Sequence, residues 1–489
     1  MKPELITTWS QRVSVFSFCA LIYFLPISTA LVEVFSTIII TVFFMRRIFM
    51  IGQLSSGRDG VSWQPPATFL NPFIYFYFLA NVVSVVFSHY LPLSLQGLIF
   101  KVLEGVVLFF AFIENFRDRK TLLIFLGVFL IGITLIIVNG SFQAFYEKDF
   151  VLGLVKIDGR VRSTFRHPND FGTYLISVIP WLLLLAVVQG RALLNRASTE
   201  GKQFFQHPVF AIWMIVLSVL AINNLGLTFS RGAWVAYVLS LIILTLIRIR
   251  WLWLSVLLIF TFVFFYEPQM IVIRNVSMVS DNVEQEYDFN FTANTIFDTT
   301  GQSQEYALNS PVKSSIDGGS QGLFCWLAKE WHQTIIPPLM RRMKNNIVVG
   351  MGRNNFWKEA CHIIKDHPFF GIGPNTYSKV APDYKINWGG YPHNCYLQMT
   401  AEIGVFGLFS FLLMLWILIA RTFCFLLRSP VDFWFATTAG FFAGLVGYLF
   451  HGFWDTNFYT VKLGVLFWLI VAILVVIQNL DSGRRISKT

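Results

Sequence analysis

The chain has 489 residues, of which 55% are hydrophobic and only 13% charged, about half the charged share of a typical water-soluble chain. That composition excludes a soluble globular fold, because apolar runs, each about long enough to cross a 30 Å hydrocarbon layer, recur through most of the sequence. The formal charge of +10 does not point to nucleic acid, because the basic residues sit in short turns between apolar runs, where the positive-inside rule places them.

In chain order the apolar pattern predicts helices at 13–28, 30–45, 68–88, 94–113, 120–139, 171–189, 208–225, 232–249, 251–267, 399–419, 434–451 and 461–479. The first run lacks a small-residue cleavage pattern and leads across Pro26 and Ser28 into the second, so it reads as retained structure and not as a signal peptide. With the N-terminus inside, every even-numbered crossing returns to a basic turn. These turns carry Arg46, Arg47 and Arg58; Arg117, Arg119 and Lys120; Arg191, Arg196 and Lys202; Arg248 and Arg250; Arg421 and Arg428; and Arg484, Arg485 and Lys488. The expectation is an all-α polytopic membrane protein of about twelve transmembrane helices with both termini cytoplasmic.

Three regions follow: 1–267 with about nine spans, 268–398 as a large outer loop with amphipathic helices, and 399–489 with three spans and a tail. The middle of the loop, near 281–320, is acidic and polar, the composition of an exposed loop. Its later part spaces Phe324, Trp326, Leu327 and Trp331 as a helix lying on the bundle would. Cys19, Cys325, Cys361, Cys395 and Cys424 show no paired metal spacing and read most simply as scattered thiols. Neither a His-x-x-x-His pair nor a close acidic pair is visible, so no metal is required.

Four polar stretches fall on the outer side. GRVRSTFRHPNDFG, at 159–172, places Arg160, Arg162 and Arg166 where few cations are expected. They suit an anionic partner, either a substrate or lipid phosphate, while Pro168 and Asp170 suit a helix start. LTFSRGAW puts Arg231 in a tight hairpin between apolar helices. It is either an interface anchor or a fixed guanidinium able to clamp phosphate. GRNNFWKEACHIIKDHPFFGIGPNTY predicts a short amphipathic helix capped near Asn354 or Asn355, stopped by Pro368 and followed by a turn at GIGPN. Arg353 at its entrance can reach an anion or pair with an acid. GGYPHNCYLQMTAEIGVFG sets His393 in a sharp turn before a helix for which Asn394 is the N-cap candidate. An imidazole there can act as a general base or make a structural hydrogen bond. Glu402, about two helical turns on, needs a donor such as Arg, His or Tyr. His451 and Asp455, in HGFWDTNFY, can help receive a sugar, beside an aromatic belt.

With these residues in view, the chain resembles the bacterial O-antigen ligase and O-antigen polymerase superfamily. The match lies in SRG at 230–232, RNNFWKEACHIIKDHPFFGIGPNTY at 353–377 and PHNCYLQMTAEIGVFG at 392–407, with STFRHPNDFGTYL before the sixth span as a weaker element. The resemblance implies a GT-C-like glycosyltransferase of the bacterial inner membrane. Such an enzyme transfers a glycan on the periplasmic face from a polyprenyl (undecaprenyl) diphosphate carrier, with no nucleotide sugar, metal or other cofactor. The acceptor is a sugar of lipid A-core in ligases, another lipid-linked repeat in polymerases, and a protein hydroxyl in related members. It assigns diphosphate binding to Arg231, with a further arginine among Arg160, Arg162, Arg166 and Arg353, and a catalytic or acceptor-positioning role to His393. Asn394, Glu402, His451 and Asp455 are expected to support the acceptor or the fold. A transporter of lipid-linked glycan is the non-enzyme alternative.

Overall fold

The computed structural model describes residues 3–55, 64–194, 208–247, 356–384 and 391–486, all within one compact unit. The predicted span at 251–267, the acidic stretch 281–320, the aromatic stretch from Phe324 to Trp331 and Arg353 lie outside the described residues. The elements are α1 (Pro3–Phe24), α2 (Thr29–Ser55), α3 (Asn71–Val86), α4 (Leu91–Gly97), a π-helical segment (Leu98–Leu103), α5 (Glu104–Asn115), α6 (Arg119–Tyr146), α7 (Pro168–Leu194), α8 (Pro208–Leu227) and α9 (Arg231–Ile247). They continue with α10 at 356–366, the single turn α11 (Tyr377–Val380), α12 (Cys395–Arg428), α13 (Phe433–His451) and α14 (Val461–Ile486). Apart from two isolated β-bridges, no strand occurs among the described residues.

Eight of the described helices or helical runs are long and apolar enough to cross a membrane; α3 and α9 are shorter apolar helices. The protein is thus an all-α, multi-pass membrane protein. Most boundaries differ from the sequence reading, as in α1 (Pro3–Phe24, predicted 13–28) and α2 (Thr29–Ser55, predicted 30–45), and two of the helices concerned bear on the site. The predicted helix 120–139 runs on to Tyr146 as α6, because its polar residues face inward and hold the loop that follows. Asn139 donates to Asp149 at 3.2 Å and to Ser163 at 2.9 Å, and the Gln143 side-chain oxygen accepts from the Arg162 and Ser163 amides at 2.9 and 2.8 Å. The predicted helix 399–419 is longer at both ends. It starts at Cys395, where the Asn394 side chain accepts from the amides of Tyr396 and Leu397, and runs to Arg428 with a break at Gly404, whose φ is 69°.

The core seam is α7 against α13. Gly440 and Gly444, four apart on α13, sit on the backbone of Trp181 and Ser177 so closely that a side chain at either glycine would collide with it. This small-residue stripe lets two apolar helices meet without hydrophobic contrast to drive them together. At one end of the bundle, Glu114 on α5 is clamped by Arg47 at 3.1 and 2.6 Å and by Arg46 at 3.2 Å. Removing one side of a buried ion pair strands the other charge, at a cost of roughly 3–5 kcal/mol. Glu114→Ala is accordingly expected to lower the unfolding temperature of detergent-purified protein sharply, and a transition within a degree of wild type would contradict that role for the clamp.

The opposite end is polar and tied together. Lys462, at the start of α14, donates to the Pro26, Ile27 and Thr164 carbonyls at 2.9, 3.2 and 3.3 Å, and the Thr164 hydroxyl also reaches Pro26 at 2.6 Å. One ammonium therefore joins the α1–α2 turn, the 147–167 loop and α14.

Candidate functional site

Near this polar end, the turn 452–460 between α13 and α14 is the centre on which the sequence motifs meet. The α12 start docks on it: the Cys395 amide donates to the Gly452 carbonyl at 2.8 Å, and the thiol to the Asp455 carbonyl at 3.0 Å. The α9 start docks on the same turn. A Cβ on Gly232 would stand 3.2 Å from Trp454 Cβ and 3.3 Å from the His451 ring, and the Ser230 hydroxyl lies 3.5 Å from His451 Nε2. The α7 start completes the ring, with the Thr173 hydroxyl 2.9 Å from His451 Nδ1 and 3.3 Å from the Asn457 side-chain oxygen. His451 itself is buried and is a hub for three helices.

His393 sits above this hub. Its φ of 46° is a left-handed conformation that a non-glycine residue seldom adopts. The turn is held by the Asn394 cap on one side and by the Trp357 indole, which donates to the Pro392 carbonyl at 2.9 Å, on the other. The His393 side chain is 45% exposed, and its Nδ1 lies 3.8 Å from Asp455 Oδ1, an ion-pair separation too long for a hydrogen bond. Burial opposes charge on Asp455, but the two neighbouring imidazoles, His393 and His451, and the Thr456 amide more than offset it and hold the carboxyl well below the usual carboxylate range. An ionised carboxylate beside a half-exposed imidazole can orient the ring.

Arg231 is the first residue of α9. Two residues before it stands Phe229, whose φ of 50° is an outlier for a bulky side chain. Arg231 is exposed, and no hydrogen bond or ion pair joins its guanidinium to a described residue. The three arginines before α7 separate by what they touch. Arg160 donates to the Thr228 carbonyl at 2.8 Å and to Asn169 at 2.6 Å, so it ties the 147–167 loop to the α8–α9 hairpin. Arg162 donates to the Val155 and Arg166 carbonyls at 2.8 and 3.1 Å. Arg166 is exposed, with no such bond among the described residues. His167, beside it, is within electrostatic reach of Arg160, Asp455 and His393, which places this turn on the same rim.

Glu402 is buried on α12, in side-chain contact with Tyr459, one of the Arg, His or Tyr partners expected, and amide donors add to it. It accepts from the Asn375 amide at 3.0 Å, the Tyr377 amide at 3.3 Å and the Gln398 side chain at 3.2 Å. The GIGPN turn lies along α12 at the Gly404 break: Ile372 and Gly373 amides donate to the Ala401 and Glu402 carbonyls at 3.0 and 2.8 Å, and Val405 donates to the Pro368 carbonyl at 2.9 Å. Helix carbonyls and amides freed by the break are thus satisfied by the loop. Sequence reasoning missed this pairing, although Gly404, inside an apolar helix two residues beyond Glu402, was its visible signal. It also left the Asp455–His393 contact undrawn, because nothing in one sequence pairs residues so far apart.

Of the free thiols among the described residues, Cys395 is buried and Cys361 exposed, in keeping with scattered thiols. Among the described residues no three His, Cys, Asp or Glu side chains cluster closely enough to hold a metal ion. No curated protein matches the chain. Residues 216–412, from within α8 to within α12 and so including Arg231, His393 and Glu402, match the family model described as O-Antigen ligase, so this stretch of the chain is similar to that family.

Proposed function

We propose that the protein transfers a glycan from a polyprenyl-diphosphate carrier to a sugar hydroxyl of lipid A-core, as an O-antigen ligase does, on the periplasmic face of a bacterial inner membrane. The observation that carries the reading is the docking of the Arg231 and His393 turns on one buried hub, the His451–Asp455 turn. A family role in glycan transfer supports the reaction class. The fold in this reading is GT-C-like, with about twelve spans, cytoplasmic termini, and the 268–398 segment as the outer loop between N-terminal and C-terminal membrane regions.

Arg231, and Arg166 as the second exposed guanidinium of the rim, take the donor diphosphate and stabilise the charge that develops as it leaves. Arg160 and Arg162 hold the loop that presents Arg166, and Arg353 remains a third candidate. His393 removes the acceptor proton as its oxygen attacks the anomeric carbon. The C–O bond to the diphosphate breaks as the glycosidic bond forms, the electron pair leaves on the phosphate oxygen, and the anomeric centre inverts. Asp455 orients His393; Asn394, Glu402 and His451 hold the walls. The reaction needs neither metal nor nucleotide sugar, because a flipped lipid donor arrives already activated.

Arg231→Gln is expected to lower donor-dependent turnover about a hundredfold, with acceptor KM changed little, in proteoliposomes containing lipid-linked donor. Turnover within a factor of two of wild type would reject the assignment. Product analysis in the same assay separates the alternatives. One transfer to core glycolipid marks a ligase, a length series a repeat-unit polymerase and glycan on polypeptide a protein O-glycosyltransferase. Movement of the donor across the bilayer without a new glycosidic bond marks a transporter.

A further inference from the structure

Below the His393 turn, α3, the π-helical segment, α12, α14 and the 371–377 loop surround a cavity. It adjoins the candidate site through neighbouring aromatic rings. Tyr459 lines it, and the Tyr459 ring lies 6.4 Å from that of Tyr391, two residues before His393, which in turn lies 6.5 Å from Tyr377. Glu402 marks its depth, seven residues along α12 from Cys395 and hence about 10 Å into the bundle.

The cavity holds a cation that the transfer chemistry does not use. Lys101 extends from the π-helical segment, donates to the Asn375 side-chain oxygen at 2.6 Å and stands 5.0 Å over the Tyr459 ring. An ammonium has three donors, and Asn375 takes one. Ionisable side chains at membrane depth are costly, and π-helical turns inside α-helices recur at functional sites. Asn81, also on the lining, donates to the Tyr77 carbonyl at 2.9 Å and interacts with the Tyr77 side chain.

The chemistry of the walls selects the occupant. Lys101 and Glu402 bring opposite charges, so the pocket suits a neutral molecule better than a phosphate. Tyr77, Tyr459 and Trp468 offer ring faces to C–H groups, while Lys101, Asn81 and Asn375 offer hydrogen bonds, the mixture that a pyranose presents in reverse. An isoprenyl chain would strip water from Lys101 and Asn81 and return no hydrogen bond. We propose that this cavity binds a neutral sugar ring of the acceptor glycan, a unit next to the one that reacts at His393; the proposal rests on the glycan-transfer reading.

The test is saturation-transfer NMR on the full chain in nanodiscs, with methyl glycosides of glucose, galactose, N-acetylglucosamine and heptose as probes and farnesyl diphosphate as competitor. Gly464 lines the cavity, and a Cβ there meets only the Phe458 carbonyl, at 3.6 Å. Gly464→Leu therefore fills the space without removing a polar group and favours its helix. At least one glycoside is expected to show ring-proton saturation in the wild type, to lose it in Gly464→Leu, and to bind about tenfold more weakly in Lys101→Met. Monodisperse elution of both variants establishes that they are folded; Gly464→Leu keeps the test open if Lys101→Met is not. Absence of saturation for every glycoside, or equal saturation in wild type and Gly464→Leu, overturns the proposal. Binding of farnesyl diphosphate that Gly464→Leu abolishes while glycoside signals persist also overturns it, in favour of a carrier-chain pocket. Arg231→Gln should keep the glycoside signal, so a failure of donor chemistry and a failure of this pocket give different results.

Discussion

His393→Ala is expected to lower glycan transfer by about 10²–10⁴-fold, the range for loss of a general base, while folded protein remains in the membrane at the wild-type level. The side chain is half-exposed and makes a long contact to Asp455 and an edge-on contact with the Phe356 ring, 6.4 Å between centroids, so its removal costs little packing. The turn itself is held by other groups, the Asn394 cap and the Trp357 indole, and alanine at a left-handed φ is strained about as histidine is. The loss should fall on kcat and not on donor binding, since the diphosphate is assigned to Arg231 and Arg166. Asp455→Asn should lower the rate less than His393→Ala does, because it removes the orienting charge and leaves the base. Transfer by His393→Ala within tenfold of wild type, measured at equal protein in proteoliposomes, would remove His393 from the chemistry.

The largest expected effect on folding comes from Gly404→Val. Gly404 has φ 69°, and a Cβ there would run into the Phe369 carbonyl and the Phe370 amide. The cost combines a left-handed backbone for a β-branched residue, roughly 1–3 kcal/mol, with loss of the loop seated on the break. Three backbone bonds depend on that seat, at Ile372, Gly373 and Val405, and each left unmade in the interior adds about 1–3 kcal/mol. The variant should therefore fail to accumulate, or unfold far below wild type in detergent. Gly371→Val, from the other side of the same contact, should behave alike, since its own φ is 67° and its Cβ would meet the Glu402 backbone. Gly127, where a Cβ would meet nothing within 4 Å, is the control. A Gly404→Val protein that melts within two or three degrees of wild type, an interval of about 1 kcal/mol at this size or less, would show that the break is dispensable.

The helices were legible in the sequence because an apolar run of membrane length has few alternatives. Their ends were less so, for a physical reason visible at Asn139 and Gln143. Polar residues in a long run read as a helix end, yet here they face a loop that supplies their partners. The site was legible in its parts: Arg231, His393, Asn394 and Asp455 stood out as polar groups beside apolar spans. What the sequence could not give was their sorting. Arg160, Arg162 and Arg166 look alike in one stretch, and only the carbonyls that Arg160 and Arg162 reach tell the loop-fixing pair from Arg166. Glu402 was legible as a carboxylate in need of a donor, but not the amides of Asn375 and Tyr377 that supply part of it, because main-chain amides from a distant turn leave no trace in a residue pattern.

The π-helical segment makes the length of its span non-negotiable. Winding one additional residue into Leu98–Leu103 offsets the two halves by about 100° from an unbroken α-helix. The upper half uses that offset to bring Gly97 against the Pro374 carbonyl and the Asn375 side chain. The lower half keeps Gly105 under Trp468, where no Cβ would fit. Deleting a single residue between them would pull the helix back into α register and rotate one half out of its berth, so indels here are far less tolerable than substitutions.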